Sequence, residues 1–309
     1  MLLMARRNGN AEPVFLSSLS SLSPWPSSCI LSLLVRIRST PAPADSAPSH
    51  RITNGIYSDY ATMAVRTGAP NSGAAGLSLL LVPLRNTPGV TMRRLPVSGQ
   101  TCGGTTYITL DEVRVPRSHL IGAEGHGMSY IMTNFNHERL SIAIGATRQA
   151  RVALSAALGY VLRREAFGSR LVEQPVVRHR LAKAGILLET QWAWVEQLVY
   201  AMTRLPRESV DAEIGGLSAL CKANAGIVID ECARCAVLLF GGNGYTRTGQ
   251  GEIVERIYRE VNGVRVPGGS EDVMLDLGVR QLVKNYERAM KALEGPGGER
   301  LGVEERGKL

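Results

Sequence analysis

The spacing of apolar residues along this chain changes once, near residue 125. From Arg51 onward they fall in short runs, YATMAVRT, GLSLLLVPL, GVTMRRLPV and TTYITLDEVRVP, rich in Val, Ile, Thr and Tyr and punctuated by Gly and Pro. Runs of that kind predict strands. From about Gly125 the apolar positions recur at three and four. That spacing predicts a first helix to about Ala166, with room for an internal break, and further helices over Val176–Thr203, Ala212–Phe240, Glu252–Val261 and Glu271–Leu293. Strands first and helices after them predict an α+β chain: a β-domain over residues 51–122 and an antiparallel helical bundle over residues 123–293. Residues 1–50 differ in kind, with eleven Ser and six Pro but only Glu12 and Asp45 as acids. They read as a low-complexity or disordered N-terminus, and their Arg and Ser content is also that of an organellar transit peptide. Ser, Pro24 and Pro26 interrupt the apolar stretch Val14–Val35, which makes it a poor membrane span. Residues 294–309 read as a flexible Gly-rich tail.

One residue breaks the helical pattern. In GMSYIMTNFNHERLSIAIGATRQA, Met128, Ile131, Phe135, Glu138, Ile142 and Gly145 share one face, and Glu138 is its only acid. A carboxylate on an apolar stripe is costly unless it is paired or used, because desolvation disfavours its charged form and raises its pKa. Two readings follow. Glu138 is either half of a buried ion pair, with Arg139 or a distant Arg, or a base tuned for proton abstraction near neutral pH.

Composition narrows the classes. The 309 residues allow about two domains, and 35 basic against 27 acidic side chains give a formal net charge of +8. The basic residues are mostly Arg scattered along helices, without a Lys/Arg tract or interleaved aromatics, which argues against nucleic acid. Five cysteines, an odd and uneven set, imply no disulfide framework. Cys232 and Cys235 have the spacing of half a metal site or a redox pair. They lie in a helical run without a second pair, and two small apolar residues one turn apart explain them better.

Three further segments are each ambiguous alone. In Arg164–Gly168, Gly168 suits a left-handed helix C′ position, and Arg164 suits either the negative end of the helix dipole or a phosphate. Phe240–Tyr245, FGGNGY, is a glycine loop whose backbone a ligand can approach. It fails as a dinucleotide fingerprint, because it follows a helix and lacks the third glycine. In Val266–Asp272, Ser270 reads as the N-cap of the last helix, whose N-terminus also suits an anion.

Taken in order, ITNG (Ile52–Gly55), LDEVRVPRSHLIG (Leu110–Gly122), HERL (His137–Leu140), RREAFGSRLVEQ (Arg163–Gln174), FGGNGY, IYRE (Ile257–Glu260) and VPGGSEDV (Val266–Val273) resemble the acyl-CoA dehydrogenase family over roughly residues 52–285. The resemblance implies a partial β-barrel-like domain followed by a four-helix bundle. It also implies FAD-dependent α,β-dehydrogenation of an acyl-CoA thioester, in fatty-acid or branched-chain oxidation. The electron acceptor would be electron-transfer flavoprotein or oxygen, and the assembly a homodimer or homotetramer. In most of the family the base sits where this chain has Gly268. A minority branch, long-chain and isovaleryl-like, carries it where this chain has Glu138. The resemblance therefore implies Glu138 as base, with the Gly268 backbone N–H polarising the carbonyl and Arg139 beside the acyl pocket. FAD would be met by Thr53, by Arg164 and Phe167 from a neighbouring subunit, and by Gly241, Gly242 and Ser270.

The chain also departs from the family. Arg51 stands where a Trp usually meets the flavin, and Leu238 where a Gln meets the adenosine half. Residues 1–50 hold no counterpart of the family's N-terminal helical domain or first strands. On that ground this chain as written is expected to bind FAD poorly, with the bundle its best-ordered part. The competing readings are an inactive truncated fragment, a non-catalytic scaffold or assembly protein of the same fold, and a flavin monooxygenase that HERL does not support. Mitochondrial and peroxisomal locations both fit: the N-terminus resembles a transit peptide, and the terminal Gly-Lys-Leu approaches a peroxisomal signal.

Overall fold

Alternation in the first half does become strands. The structure, a computed structural model, describes residues 4–5, 35–37, 51–69 and 71–294. It divides into two compact units, residues 1–132 and 133–309. The expectations of a transit peptide, of a low-complexity N-terminus and of a flexible tail fall almost wholly outside the described residues.

In the first unit, β1 (Met4–Ala5), β4 (Tyr60–Arg66), β5 (Leu77–Pro83) and β9 (Leu120–Ile121) form one sheet in the order β1-β4-β5-β9. A second sheet has the order β3-β7-β6, from β3 (Arg51–Ile52), β6 (Val90–Arg94) and β7 (Thr106–Leu110), and β2 (Val35–Ile37) pairs with β8 (Val113–Val115). The antiparallel β4–β5 register runs from Tyr60↔Pro83 to Arg66↔Leu77. It puts Ala61, Met63, Leu80 and Val82 into a core shared with Ile108, Leu110, Val113 and Val115. One expected strand is two. TTYITLDEVRVP breaks between Leu110 and Val113, where Glu112 is left-handed at φ 51 and the Asp111 N–H donates to Gly89 O at 2.8 Å.

The second unit is helical. Helix α1 (Gly127–Arg163), whose first turns belong to the strand unit, is followed by the two-residue strands β10 (Glu165–Ala166) and β11 (Ser169–Arg170). Then come α2 (Pro175–Arg204), α3 (Arg207–Phe240), the one-turn α4 (Gly242–Tyr245), α5 (Glu252–Arg265) and α6 (Glu271–Glu294). The long antiparallel helices make the expected bundle, with α3 packed against α2, α5 and α6. Helix α3 is buried on nearly every side, including Ala219, Cys221, Ala225, Ile229, Cys232 and Ala236, as a central helix must be. Pro206 starts it five residues before the expected Ala212. The buried ridge of α1 is small, Ala143, Ala146, Ala150, Ala153 and Ala157, which allows close helix approach. Among the described residues, no helix is long and apolar enough to cross a membrane.

Candidate active site

Helix α1 runs for 37 residues without the internal break that the pattern allowed, and it ends at Arg163 instead of Ala166. Its face also turns by one position from the expected one. The fully buried positions are Asn136, Arg139, Leu140, Ala143 and Ala146, while Phe135, Glu138, Ile142 and Gly145 are half-buried beside them. Glu138 thus sits at the margin of the core, with one oxygen inside: Oε2 is buried and has no hydrogen-bond partner among the described residues. Burial raises its pKa above the ordinary carboxylate range, and the nearby Arg139 charge offsets part of that rise.

Arg139 is not committed to Glu138. It is buried, and its Nε donates to Gly268 O at 3.2 Å while its guanidinium lies over the Phe135 ring, 5.2 Å from the centroid. Burial lowers its pKa. Gly268 lies on the same face one turn beyond Glu138, since a Cβ added to it would meet Ile142 Cδ1 at 2.9 Å. Its φ of +72° and the +114° of Gly269 make Val266–Ser270 a turn that residues with a Cβ resist. Arg139 and Gly268 are therefore in contact, with Glu138 one helical turn from Ile142 on the same face. Ser270 is exposed at the head of α6, where its carbonyl accepts the Met274 N–H at 3.0 Å.

Lys222 completes this cluster and was not anticipated from the sequence. It is 1% exposed, and its Nζ donates to Arg265 O at 2.6 Å and to Gly269 O at 2.5 Å. Burial pushes its pKa down to about 8, against the raising effect of Glu271. A signal was available: Ser218, Lys222, Ala225 and Ile229 share one helical face on which Lys222 is the lone charge. Arg265 grips the same linker from outside, paired bidentately with Glu271 at 2.6 and 2.9 Å and with Asp230 at 3.1 Å.

The remaining candidates lie elsewhere. Arg164 is exposed just past α1. Gly168 is not a helix C′ residue. With Phe167 it forms the two-residue loop of the β10–β11 hairpin, at φ 56 and 78, where a type I′ turn needs positive φ twice. The turn holds Phe167 92% exposed. FGGNGY is not all loop: Gly241 (φ 58, ψ −131) ends α3, and Gly242–Tyr245 make one helical turn. Phe240 stacks on Tyr160 at 4.2 Å, and Asn243 Nδ2 donates to the Tyr160 hydroxyl at 3.1 Å. Thr53, in the strand unit, is exposed in a turn whose Asn54 is left-handed.

An uncovered aromatic ring, an exposed guanidinium and glycines whose added Cβ would meet no atom within 4 Å fit the adenine and pyrophosphate half of a dinucleotide. Cys232 and Cys235 behave as expected of core residues. Both are buried and free, their thiols face the carbonyls of Ala184 and Arg180 at 3.7 Å, and burial pushes Cys232 up to about 12. Among the described residues no group of three or more His, Cys, Asp or Glu is placed to hold a metal ion.

Residues 125–283 match the model of the acyl-CoA dehydrogenase C-terminal domain. The chain belongs to the acyl-CoA dehydrogenase family. It is 66% identical over 242 residues to acyl-CoA dehydrogenase apdG of Emericella nidulans, covering 78% of this chain and 55% of that one. It is 37% identical over 239 residues to acyl-CoA dehydrogenase AFT10-1 of Alternaria alternata, again covering 55% of that protein. A probable acyl-CoA dehydrogenase from Mycobacterium abscessus is structurally similar, with a TM-score of 0.68, 32% identity, and coverage of 74% of this chain and 58% of that one. The chain thus spans about half the length of the relatives it matches. Acyl-CoA dehydrogenases are flavin oxidoreductases acting on CH–CH bonds, with FAD as cofactor.

Proposed function

We propose that this acyl-CoA dehydrogenase carries out α,β-dehydrogenation of an acyl-CoA thioester with Glu138 as the base. The observation that carries the reading is the buried Oε2 of Glu138, which has no hydrogen-bond partner among the described residues, on a half-buried apolar face. A carboxylate destabilised in this way binds a proton more readily, which suits removal of the weakly acidic Cα proton. As that proton leaves, negative charge builds on the thioester oxygen. The Gly268 backbone N–H, in a turn fixed by Arg139 and Lys222, is the donor assigned to it, and a donor that does not reorganise is worth most there. FAD, when bound, would supply the acceptor for the Cβ hydride.

On this reading Arg164, Phe167, Gly241, Gly242 and Ser270 of the helical unit hold FAD, and Arg139 lines the acyl site while fixing Gly268. Supply of Arg164 and Phe167 to a second copy would make the active form a homodimer or homotetramer. Electron-transfer flavoprotein or oxygen would then reoxidise the flavin. The exposed Phe167 on a left-handed turn supports the assembly, since among the described residues its ring is left almost wholly uncovered. The test is to add fatty and branched acyl-CoA thioesters anaerobically to flavin-loaded protein. Loss of the flavin absorbance with formation of the enoyl-CoA is expected; an unchanged flavin spectrum across the series would defeat the proposal.

A further inference from the structure

We infer that Lys222 is a positioning residue for the Gly268–Gly269 turn: its buried ammonium ties the end of α5 to the start of α6 and so sets where Gly268 stands beside the Glu138 face. This inference rests on the proposed role of that turn.

Burying the Lys222 ammonium is costly. A lysine at 1% exposure surrenders the solvation of its ammonium, and a leucine or methionine would fill the same volume on α3 without that loss. Among the described residues no carboxylate forms an ion pair with Lys222; Glu271 acts on its charge without contact, and the direct partners are elsewhere. Its two partners are carbonyls. Arg265 O belongs to the last turn of α5, where backbone acceptors lack intrahelical donors, and Gly269 O stands two residues before Glu271, the first residue of α6. One cation thus spans the linker between the two helices.

Geometry links that span to the site. A Cβ on Gly268 would lie 3.9 Å from Lys222 Cε, 3.7 Å from Arg139 Cγ and 2.9 Å from Ile142 Cδ1. Gly268 therefore rests on the stems of the two cations and against the residue one turn from Glu138. With Arg139 on Gly268 O and Lys222 on Gly269 O, two successive carbonyls are held by buried donors, and the peptide planes of the turn are fixed. The left-handed backbone of both glycines adds no side-chain anchor of its own, so the hold comes from outside. The two cations together also place positive charge behind the backbone that faces the developing oxyanion.

The test uses flavin-loaded protein carrying Lys222→Met and Lys222→Arg. Acyl-CoA turnover is read per folded, flavin-bearing molecule, and amide exchange is read over residues 266–270. For Lys222→Met the expected result is a fall in kcat of at least tenfold with KM within threefold, and faster exchange confined to 266–270. Lys222→Arg, which keeps a cation, should recover part of both. Unchanged exchange at 266–270, or kcat per folded molecule within twofold of wild type, overturns the inference. Should Lys222→Met not fold, Lys222→Arg alone decides: a longer, planar cation must displace the turn and raise exchange there, and native exchange overturns the role. The exchange readout does not involve Glu138. If exchange rises while Glu138→Gln also retains turnover, the reading of the base has failed and the positioning role has not.

Discussion

The Nε of Arg139 donates to the carbonyl oxygen of Gly268 at 3.2 Å, across 129 positions of sequence. That bond ties the residue after Glu138 to the Val266–Ser270 turn. Among the described residues Glu138 and Arg139 form no ion pair, although the Arg139 charge still offsets part of the rise in the Glu138 pKa. Two carbonyls of the turn belong to Arg139 and Lys222, and Glu138 keeps a buried oxygen with no partner among the described residues.

Gly268 cannot take a side chain freely. Its φ is +72°, and a Cβ would come within 2.9 Å of Ile142 Cδ1. Gly268→Ala should destabilise the folded protein by about 1–2 kcal/mol from the left-handed backbone, plus a contact term. Ile142→Val removes the Cδ1 and should recover the contact term alone. A double-mutant cycle in urea measures this, and strict additivity of the two changes would contradict the predicted contact.

Glu138 should cost stability where it is ionised. Its folded-state pKa is raised, so the penalty is absent when both folded and unfolded forms are protonated and grows as pH rises through the folded pKa. Glu138→Gln should therefore raise Tm at pH 8 and change it little near pH 4. An equal shift at both pH values would show that ionisation is not the cause.

Phe167 occupies a turn position at φ 56 that suits Asn far better, with Gly168 already at φ 78. Phe167→Asn should stabilise the hairpin by about 1 kcal/mol, since a bulky residue is released from left-handed backbone. It should at the same time weaken FAD retention. Denaturant midpoints and flavin stoichiometry after gel filtration measure the two effects. Equal or lower stability with undiminished FAD would remove the case for a stored strain.

The buried thiols should be inert. Cys221 is pushed up to about 11 and Cys232 to about 12, and both lie in the bundle core. Exposed Cys102 should label rapidly at pH 7, and Cys221, Cys232 and Cys235 only on unfolding, as mass spectrometry of labelled peptides can follow.

Much of this arrangement was legible in the sequence, for identifiable reasons. Helix bounds came within a few residues wherever a Pro or Gly marked an end, as at Pro175 and Gly241, and missed by five where Pro206 lay inside a polar run. The charge on the apolar stripe singled out Glu138 because periodicity is a local property. The one-position rotation of the α1 face was not legible. It depends on which side α3 packs against: Gly215 lets Asn136 close on α3, and Asn136 Nδ2 donates to Asp211. Lys222 escaped for the opposite reason. Its face was readable, but its partners are carbonyls 43 and 47 residues away, and no side-chain pattern announces a carbonyl. The Phe167–Gly168 turn was hidden because an Arg-rich helix end followed by Gly reads equally as a C-cap.

In the proposed reaction Glu138 takes the α-proton. The direct measurement is the single-turnover rate of flavin reduction by acyl-CoA in folded, FAD-loaded protein, wild type against Glu138→Gln, across pH. A positioned general base contributes about 10²–10⁴-fold, so the variant should lose a rate of that order, together with the limb that rises as Glu138 ionises. A variant that reduces flavin within about tenfold of wild type, or keeps the same pH limb, would contradict the assignment.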